Sequence, residues 1–297
     1  MIVFTFPGQG SQKPGMGGPW REHPAWSVVE EASELLGRDL AALLLDTGAE
    51  ELTRTDNAQL ATFLTSLVVL RAVTDAGLRP GAVAGHSLGE YTALVAAEVL
   101  TPADGLRLVA ARGAAMLAAT TARTGTMAAV LGLEDDEVAA ACARCAGEVW
   151  VANLNAPGQV VIAGSPEGVA EATEVARELG AKKVMPMAVS GAFHTPFMAP
   201  AQEALASALA GAELREGTVP VIANVDALPH RSSTEWAALL DAQLCSPVRW
   251  RPSLEHLGAA GATVLLELGP GTVLTGMAKR TLDGVTTRSI STPEALA

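Results

Sequence analysis

The chain has 297 residues, 49% of them hydrophobic and 18% charged, enough apolar material for one large domain or two smaller ones. A formal net charge of −12 argues against a nucleic-acid surface, and no apolar run approaches the ~18 residues of a membrane span. The opening "MIVFTF" is too short and too poor in basic residues for a secretion signal, so a cytoplasmic location is expected.

Residues 2–6, "IVFTF", read as a buried strand that enters a Gly-rich turn, "PGQGSQKPGMGG". Leu60, Phe63, Leu64, Leu67 and Leu70 predict a helix over 57–76, stopped by Gly77. Next, an apolar run from Ala82 to Ala84 leads into "GHSLG", where Gly85 and Gly89 flank Ser87 as G-x-S-x-G. Leu88, Tyr91, Leu94, Val95 and Val99 continue with helical spacing. Strand, turn and helix in that order form the setting of a nucleophile elbow. Glycines are needed where a side chain would strike the neighbouring strand or helix. The serine then sits at a helix N-terminus, whose N–H groups favour an oxyanion. A plain glycine-rich turn is the alternative reading. The following helix opens with Thr101 as N-cap, Pro102 at N1 and Asp104 at N3, and carries Arg112 about three turns in.

From 126 to 189 the rhythm changes. A strand "MAAVLGL", a helix over 134–146 and strands "VWVANL" and "QVVIAG" around "NAPG" come first. A helix capped by Ser165 and stopped by Gly180 and a strand "KKVMPM" complete βαββαβ, the order of a ferredoxin-like unit. Cys142 and Cys145, in "CARC", lie in the first helix with no second Cys/His pair nearby, so no metal site is expected. Three cysteines in all fit a reducing compartment. The larger body resumes with "PVIANV" and "VLLEL" (264–268), each followed by helical pattern, and "GPG" (269–271) turns into the last helix. The expected fold is α/β: a parallel-sheet body over 1–124 and 190–297 with a ferredoxin-like small subdomain, 125–189, inserted.

A serine nucleophile at neutral pH needs a base, most often histidine. His86 adjoins Ser87 at a strand end, which turns its ring to the other side. His23, His230 and His256 sit in turn-like or surface-like stretches. His194 falls in "VSGAFHTPFM", an apolar Gly/Pro-bounded segment just after the small unit, and loops at such junctions gather catalytic groups. From the residues alone, a base and a locally bonded histidine both stay open for it.

Seven blocks occur in the order seen in malonyl-CoA:acyl-carrier-protein transacylases and in the acyltransferase domains of polyketide synthases. They are "FPGQGSQKPGMG" (6–17), "GHSLGEYTAL" (85–94), "LVAARGAAM" (108–116), "NLNAPGQVVIAG" (153–164), "GAFHTPFM" (191–198), "QLCSPVRW" (243–250) and "ELGPGTVLTGM" (267–277). The chain resembles that family over nearly its whole length. The resemblance implies an α/β-hydrolase-like body with a ferredoxin-like subdomain. It also implies ping-pong transfer of malonyl from CoA to the phosphopantetheine thiol of an acyl carrier protein through a seryl ester. Ser87 would be the nucleophile and His194 the base. Backbone N–H groups of Gln9 and Leu88 would form the oxyanion hole. The backbone carbonyl of Gln243 would orient the imidazole in place of a carboxylate. Arg112, 25 residues after Ser87, would hold the malonyl carboxylate in its guanidinium fork. Phe193 resembles the malonyl-selecting pattern, its ring filling the space a methyl branch needs.

The implied partners are malonyl-CoA, as substrate, and the carrier protein, with no further cofactor, nucleic acid or membrane. Lys182, Lys183, Arg249, Arg251, Lys279 and Arg280 are candidate contacts for an acidic carrier. A serine acyl hydrolase or thioesterase of the same fold would share Ser87 and His194 but have no use for Arg112. A transferase using an alkyl-malonyl-CoA is a closer alternative. A scaffold that only docks carrier protein would not need Ser87, His194, Gln9 and Arg112 together.

Overall fold

The computed structural model describes residues 1–189 and 191–296, so residue 190, where the larger body was expected to resume, and the terminal Ala297 lie outside the described residues. The chain opens with β1 (Ile2–Phe6), which is almost wholly buried. Three short helices, α1 (Ser27–Leu36), α2 (Leu40–Leu45) and α3 (Ala49–Thr53), lead to the long α4 (Thr55–Asp75). Then come β2 (Ala82–Gly85), α5 (Gly89–Ala96) and α6 (Pro102–Ala122), whose N-cap Thr101 accepts from the Asp104 N–H as its sequence predicts.

By length and composition α4 would be able to cross a membrane, yet 83% of its most apolar window is buried inside the protein. Its threonines at 55, 62 and 65 and Ser66 are buried as well, so it is the central helix of the main core rather than a lipid-facing one.

The small unit follows the predicted order: β3 (Thr126–Leu131), α7 (Asp135–Ala143), β4 (Val149–Ala156), β5 (Gln159–Gly164), α8 (Pro166–Glu178) and β6 (Lys183–Pro186). Its antiparallel sheet runs β4-β5-β3-β6, the arrangement of a ferredoxin-like unit. Helix α7 stops at Ala143, short of the predicted 146, because the N–H groups of Ala146 and Gly147 donate to Glu171 instead of continuing the helix.

The remainder comprises α9 (Ala199–Leu209), β7 (Val221–Ile222), β8 (Pro229–His230), α10 (Trp236–Gln243), α11 (Trp250–Ala259), β9 (Val264–Leu268), α12 (Val273–Thr281) and β10 (Thr286–Ile290). The main sheet runs β10-β9-β1-β2-β7-β8, parallel except for β8. Two details differ from the sequence reading. The strand in "PVIANV" has only two residues and turns back into β8 before any helix, because Asn224 leaves the ladder to bond elsewhere. The edge strand β10 carries no apolar run and was not predicted. Val248, in the segment between α10 and α11, pairs with the small sheet: it donates to Ala152 and accepts from the Leu154 N–H of β4.

Candidate active site

Ser87 stands between β2 and α5 with φ of 53°, a left-handed conformation that costs a non-glycine residue ~1–3 kcal/mol and needs its surroundings to hold it. The flanking glycines are obligatory. A Cβ on Gly85 would lie 1.9 Å from the backbone carbon of Gly89, and one on Gly89 would lie 2.0 Å from the Phe6 carbonyl oxygen. Both obstacles are backbone, which cannot rotate away.

Both polar groups of the Ser87 backbone are clamped by side chains remote in sequence. Its N–H donates to Asn224 Oδ1 at 2.7 Å, and Asn224 Nδ2 donates to the Gly85 carbonyl at 2.7 Å. Its carbonyl accepts from the Glu90 N–H at 3.1 Å and from Gln243 Nε2 at 3.0 Å.

His194 also has a left-handed backbone, with φ of 61°. A local turn supports it: Thr195 Oγ1 donates to the Ala192 carbonyl and accepts from the Phe197 N–H. The imidazole bridges the site, with Nε2 2.8 Å from Ser87 Oγ and Nδ1 3.0 Å from the Gln243 carbonyl oxygen. Gln243 is the last residue of α10, where helix carbonyls lack an intrahelical donor, so this oxygen is available to the ring. Facing a carbonyl, Nδ1 must carry the hydrogen. That leaves the Nε2 lone pair toward the serine hydroxyl, as a base requires. Burial first, then the Arg112 cation, push the imidazole down to about 3, so it is neutral at physiological pH.

Arg112 is buried, and its guanidinium is tethered rather than free. Nη1 donates to Gln59 Oε1 at 2.7 Å; Nη2 donates to Gln243 Oε1 at 3.0 Å and to Ser87 Oγ at 3.2 Å. Its carbon lies 5.5 Å from the centre of the Tyr91 ring. Burial lowers its pKa, and Tyr91 and Glu90 oppose that. Glu90 is itself buried: Oε1 accepts from the Asn224 N–H at 2.7 Å and Oε2 accepts from Gln243 Nε2. Burial pushes its carboxyl up to about 8, against the pull of those donors and of Arg112.

These groups open onto a cleft of about 340 Å³ between the two sheets, lined by Gln9, Ser87, Arg112, Phe193 and His194 among others. The backbone N–H groups of Gln9 and Leu88 donate to no acceptor among the described residues. Five of the chain's eight methionines (Met116, Met127, Met185, Met187 and Met277) line the cleft, giving it an unbranched wall that can adapt to what it encloses. Met185, Met187 and Val273 are exposed at its rim. His86 turns from the serine: its Nε2 pairs with Asn155 Oδ1 at 2.9 Å and its ring meets Trp250 edge-on.

The structure thus brings Ser87, His194, Arg112, Gln243, Gln9, Leu88 and Phe193 to one place. Sequence reasoning missed Gln59, Glu90, Asn224 and the side chain of Gln243. Glu90 and Gln243 lay inside the blocks 85–94 and 243–250, while Gln59 and Asn224 lay outside all seven. Among the basic residues expected to meet a partner, Arg251 does not serve, because Glu134, Asp135 and Glu255 surround it. Lys182, Lys183, Arg249, Lys279 and Arg280 are exposed.

The sequence profile of the acyl transferase domain matches residues 3–293. The malonyl CoA-acyl carrier protein transacylase of Bacillus subtilis is 42% identical over 300 residues, covering 99% of this chain and 95% of that protein. The enzyme of the same name from Escherichia coli K12 is 43% identical, covering 100% of this chain and 97% of its own. Among solved structures, a malonyl-transacylase in complex with a type II polyketide synthase acyl-carrier protein superposes with a TM-score of 0.95 at 38% identity, over 99% of this chain and 97% of that one. By profile, identity and fold, this chain belongs to the malonyl CoA-acyl carrier protein transacylase family.

Proposed function

We propose that the chain transfers a malonyl group from coenzyme A to the phosphopantetheine thiol of an acyl carrier protein, through an ester on Ser87. One observation carries the reading: Ser87 Oγ lies between His194 Nε2, at 2.8 Å, and Arg112 Nη2, at 3.2 Å. A base and a carboxylate-binding cation therefore meet at one nucleophile. An acyl hydrolase for uncharged substrates would have no use for that cation.

In the first half-reaction Ser87 Oγ attacks the thioester carbonyl while its proton passes to His194 Nε2. The tetrahedral oxyanion is taken by the backbone N–H groups of Gln9 and Leu88. The C–S bond then breaks, and the CoA thiolate receives the proton from His194. In the second half-reaction the carrier thiol gives its proton to His194 and attacks the ester. Collapse returns that proton to Ser87 Oγ. Among the described residues no carboxylate backs the histidine; the Gln243 carbonyl fixes its tautomer, and the imidazolium that forms is transient because burial and Arg112 both disfavour it. Side chains and backbone fill every role, so the reading calls for no cofactor.

Arg112 receives the malonyl carboxylate, which lies two carbons from the carbonyl under attack. With Gln59 and Gln243 holding the guanidinium, little side-chain freedom is lost on binding. Phe193, buried next to the base, narrows the space at the acyl α-carbon and disfavours alkyl-malonyl substrates. The exposed Lys182, Lys183, Lys279 and Arg280 lie beside the apolar rim in sequence and offer an acidic carrier a basic landing in a chain of charge −12. Three free thiols at Cys142, Cys145 and Cys245 suit a reducing cytoplasm. The test is to charge the protein with malonyl-CoA, remove excess CoA ester, and add carrier protein bearing its phosphopantetheine arm. Malonyl should leave the protein and appear on the carrier. Release as free malonate, with none on the carrier, would make the protein a hydrolase.

A further inference from the structure

We propose that Glu90 is a positioning residue: its carboxylate fixes the amide of Gln243 and the backbone of Asn224, and through them holds both Ser87 and Arg112 in working geometry. The inference rests on the transferase reading above. It starts from the fact that Ser87 is held in a left-handed conformation by two side chains, Asn224 at its N–H and Gln243 at its carbonyl. Those two side chains come from segments 19 residues apart, and Glu90 ties them together.

Both oxygens of Glu90 face donors, which only the ionised carboxyl satisfies; with burial raising its pKa to about 8, that form prevails above about pH 8, where the variants are compared. Oε1 faces the Asn224 N–H, a backbone donor that cannot reverse, and Oε2 faces Gln243 Nε2. With two acceptors in place, the Gln243 amide has one permitted orientation. Nε2 serves Glu90 and the Ser87 carbonyl, and Oε1 accepts from Arg112 Nη2 at 3.0 Å. Reversing that amide would set an oxygen against the Ser87 carbonyl and an NH2 against the guanidinium. The same residue's backbone carbonyl orients His194. Gln243 is therefore the hub of nucleophile, base and substrate cation, and Glu90 sets its polarity. Glu90 itself touches neither the base nor the hydroxyl, which is why it acts through Gln243 and Asn224.

A glutamine at 90 has the same shape but one acceptor. Either way round, its NH2 meets a donor, from Asn224 or from Gln243. The expected consequence is a reversed or displaced Gln243 amide, with Ser87 and Arg112 loosened together. The experiment is a single-turnover reaction of the full chain above about pH 8 with malonyl-CoA and with acetyl-CoA, for wild type, Glu90→Gln and Glu90→Asp. Intact mass gives the fraction of chains acylated, and rapid quench gives the rate constant. Glu90→Gln should reach the wild-type fraction with malonyl-CoA about ten- to a hundredfold more slowly. The malonyl-to-acetyl rate ratio should fall, because Arg112 serves only the charged substrate. Glu90→Asp keeps both acceptors at shorter reach and should recover part of the rate.

A purely structural carboxylate would instead lower the acylated fraction and leave the rate per acylated chain and the substrate ratio unchanged. That result would overturn the proposal, as would a glutamine variant with wild-type rate and ratio, or an aspartate variant no better than the glutamine. A wild type that forms no ester at all would overturn the transferase reading on which the proposal stands, and the two failures are told apart by that control.

Discussion

Removing Arg112 should convert the site from one that selects a charged acyl group into one that does not. The side chain is only 1% exposed, so a malonyl carboxylate reaching Ser87 is taken out of water and has this guanidinium as its counter-charge. Breaking one side of such a pair costs ~3–5 kcal/mol. At ~1.4 kcal/mol per decade, this is roughly two to three and a half decades in rate. Arg112→Ala also deletes the 3.2 Å hydrogen bond to Ser87 Oγ, a loss of ~1.5 kcal/mol or about tenfold that falls on every acyl substrate. Acetyl transfer should therefore drop by no more than about tenfold, while malonyl transfer drops by at least a further hundredfold. Stability will suffer too, since Gln59 Oε1 and Gln243 Oε1 lose their donor at ~1–3 kcal/mol each. For that reason the readout is the malonyl-to-acetyl ratio of single-turnover acylation rates, which is independent of the folded fraction. Arg112→Lys should recover part of the ratio, because an ammonium cannot reproduce the fork that reaches Gln59, Gln243 and substrate together. Equal losses on both substrates would refute the reasoning and make Arg112 a packing residue.

Three further outcomes are expected. Because the folded His194 stays neutral down to about 3 while an unfolded histidine protonates near 6.5, its contribution to stability is present above ~6.5 and is lost as pH falls toward 3. Between pH 7 and pH 5 that amounts to ~2 kcal/mol, and since the raised carboxyl of Glu90 works in the opposite sense, urea unfolding of wild type should be compared with His194→Gln, which should lack this increment. Phe193→Ala should raise the methylmalonyl-to-malonyl rate ratio by about tenfold or more, the ~1–3 kcal/mol of a methylene-sized steric contact; an unchanged ratio would free Phe193 of any part in selection. Salt should slow transfer to the carrier more than self-acylation, since exposed charges are screened beyond ~8 Å at physiological ionic strength, and neutralising Lys182 with Lys183 should remove part of that difference.

The elbow was legible in the sequence because its constraint is local and steric: only glycine fits beside Ser87 at 85 and 89, and the clash that demands it involves backbone from the same motif and from β1. Helix ends were legible for the same kind of reason, since Thr101 and Ser165 cap N–H groups three residues on and Gly180 adopts a φ of 99°. The ferredoxin-like unit followed from alternating periods within one continuous segment. What remained hidden depends on partners far apart in the chain. Asn224 meets Ser87 across 137 residues and Gln59 meets Arg112 across 53, and neither asparagine nor glutamine has a periodic signature that would betray such a bond. The apolar run of β7 was visible but its two-residue length and its turn into β8 were not, and the edge strand β10 is too polar for hydrophobic pattern to mark it. Arg251 looked like any exposed cation until the fold set it among Glu134, Asp135 and Glu255. For His194 the residues left a choice, and the resemblance to a family favoured the base. The geometry adds the physical reason such a role is possible: a helix-end carbonyl that dictates the tautomer.

The central claim is that Ser87 carries the acyl group. Its most direct test is to mix the protein with malonyl-CoA, quench in acid, digest, and locate the malonyl mass among the peptides. The account predicts one modified peptide, the one containing Ser87, and no adduct on any peptide of Ser87→Ala treated in the same way. A malonyl group on another residue, or an adduct that persists in Ser87→Ala, would contradict it.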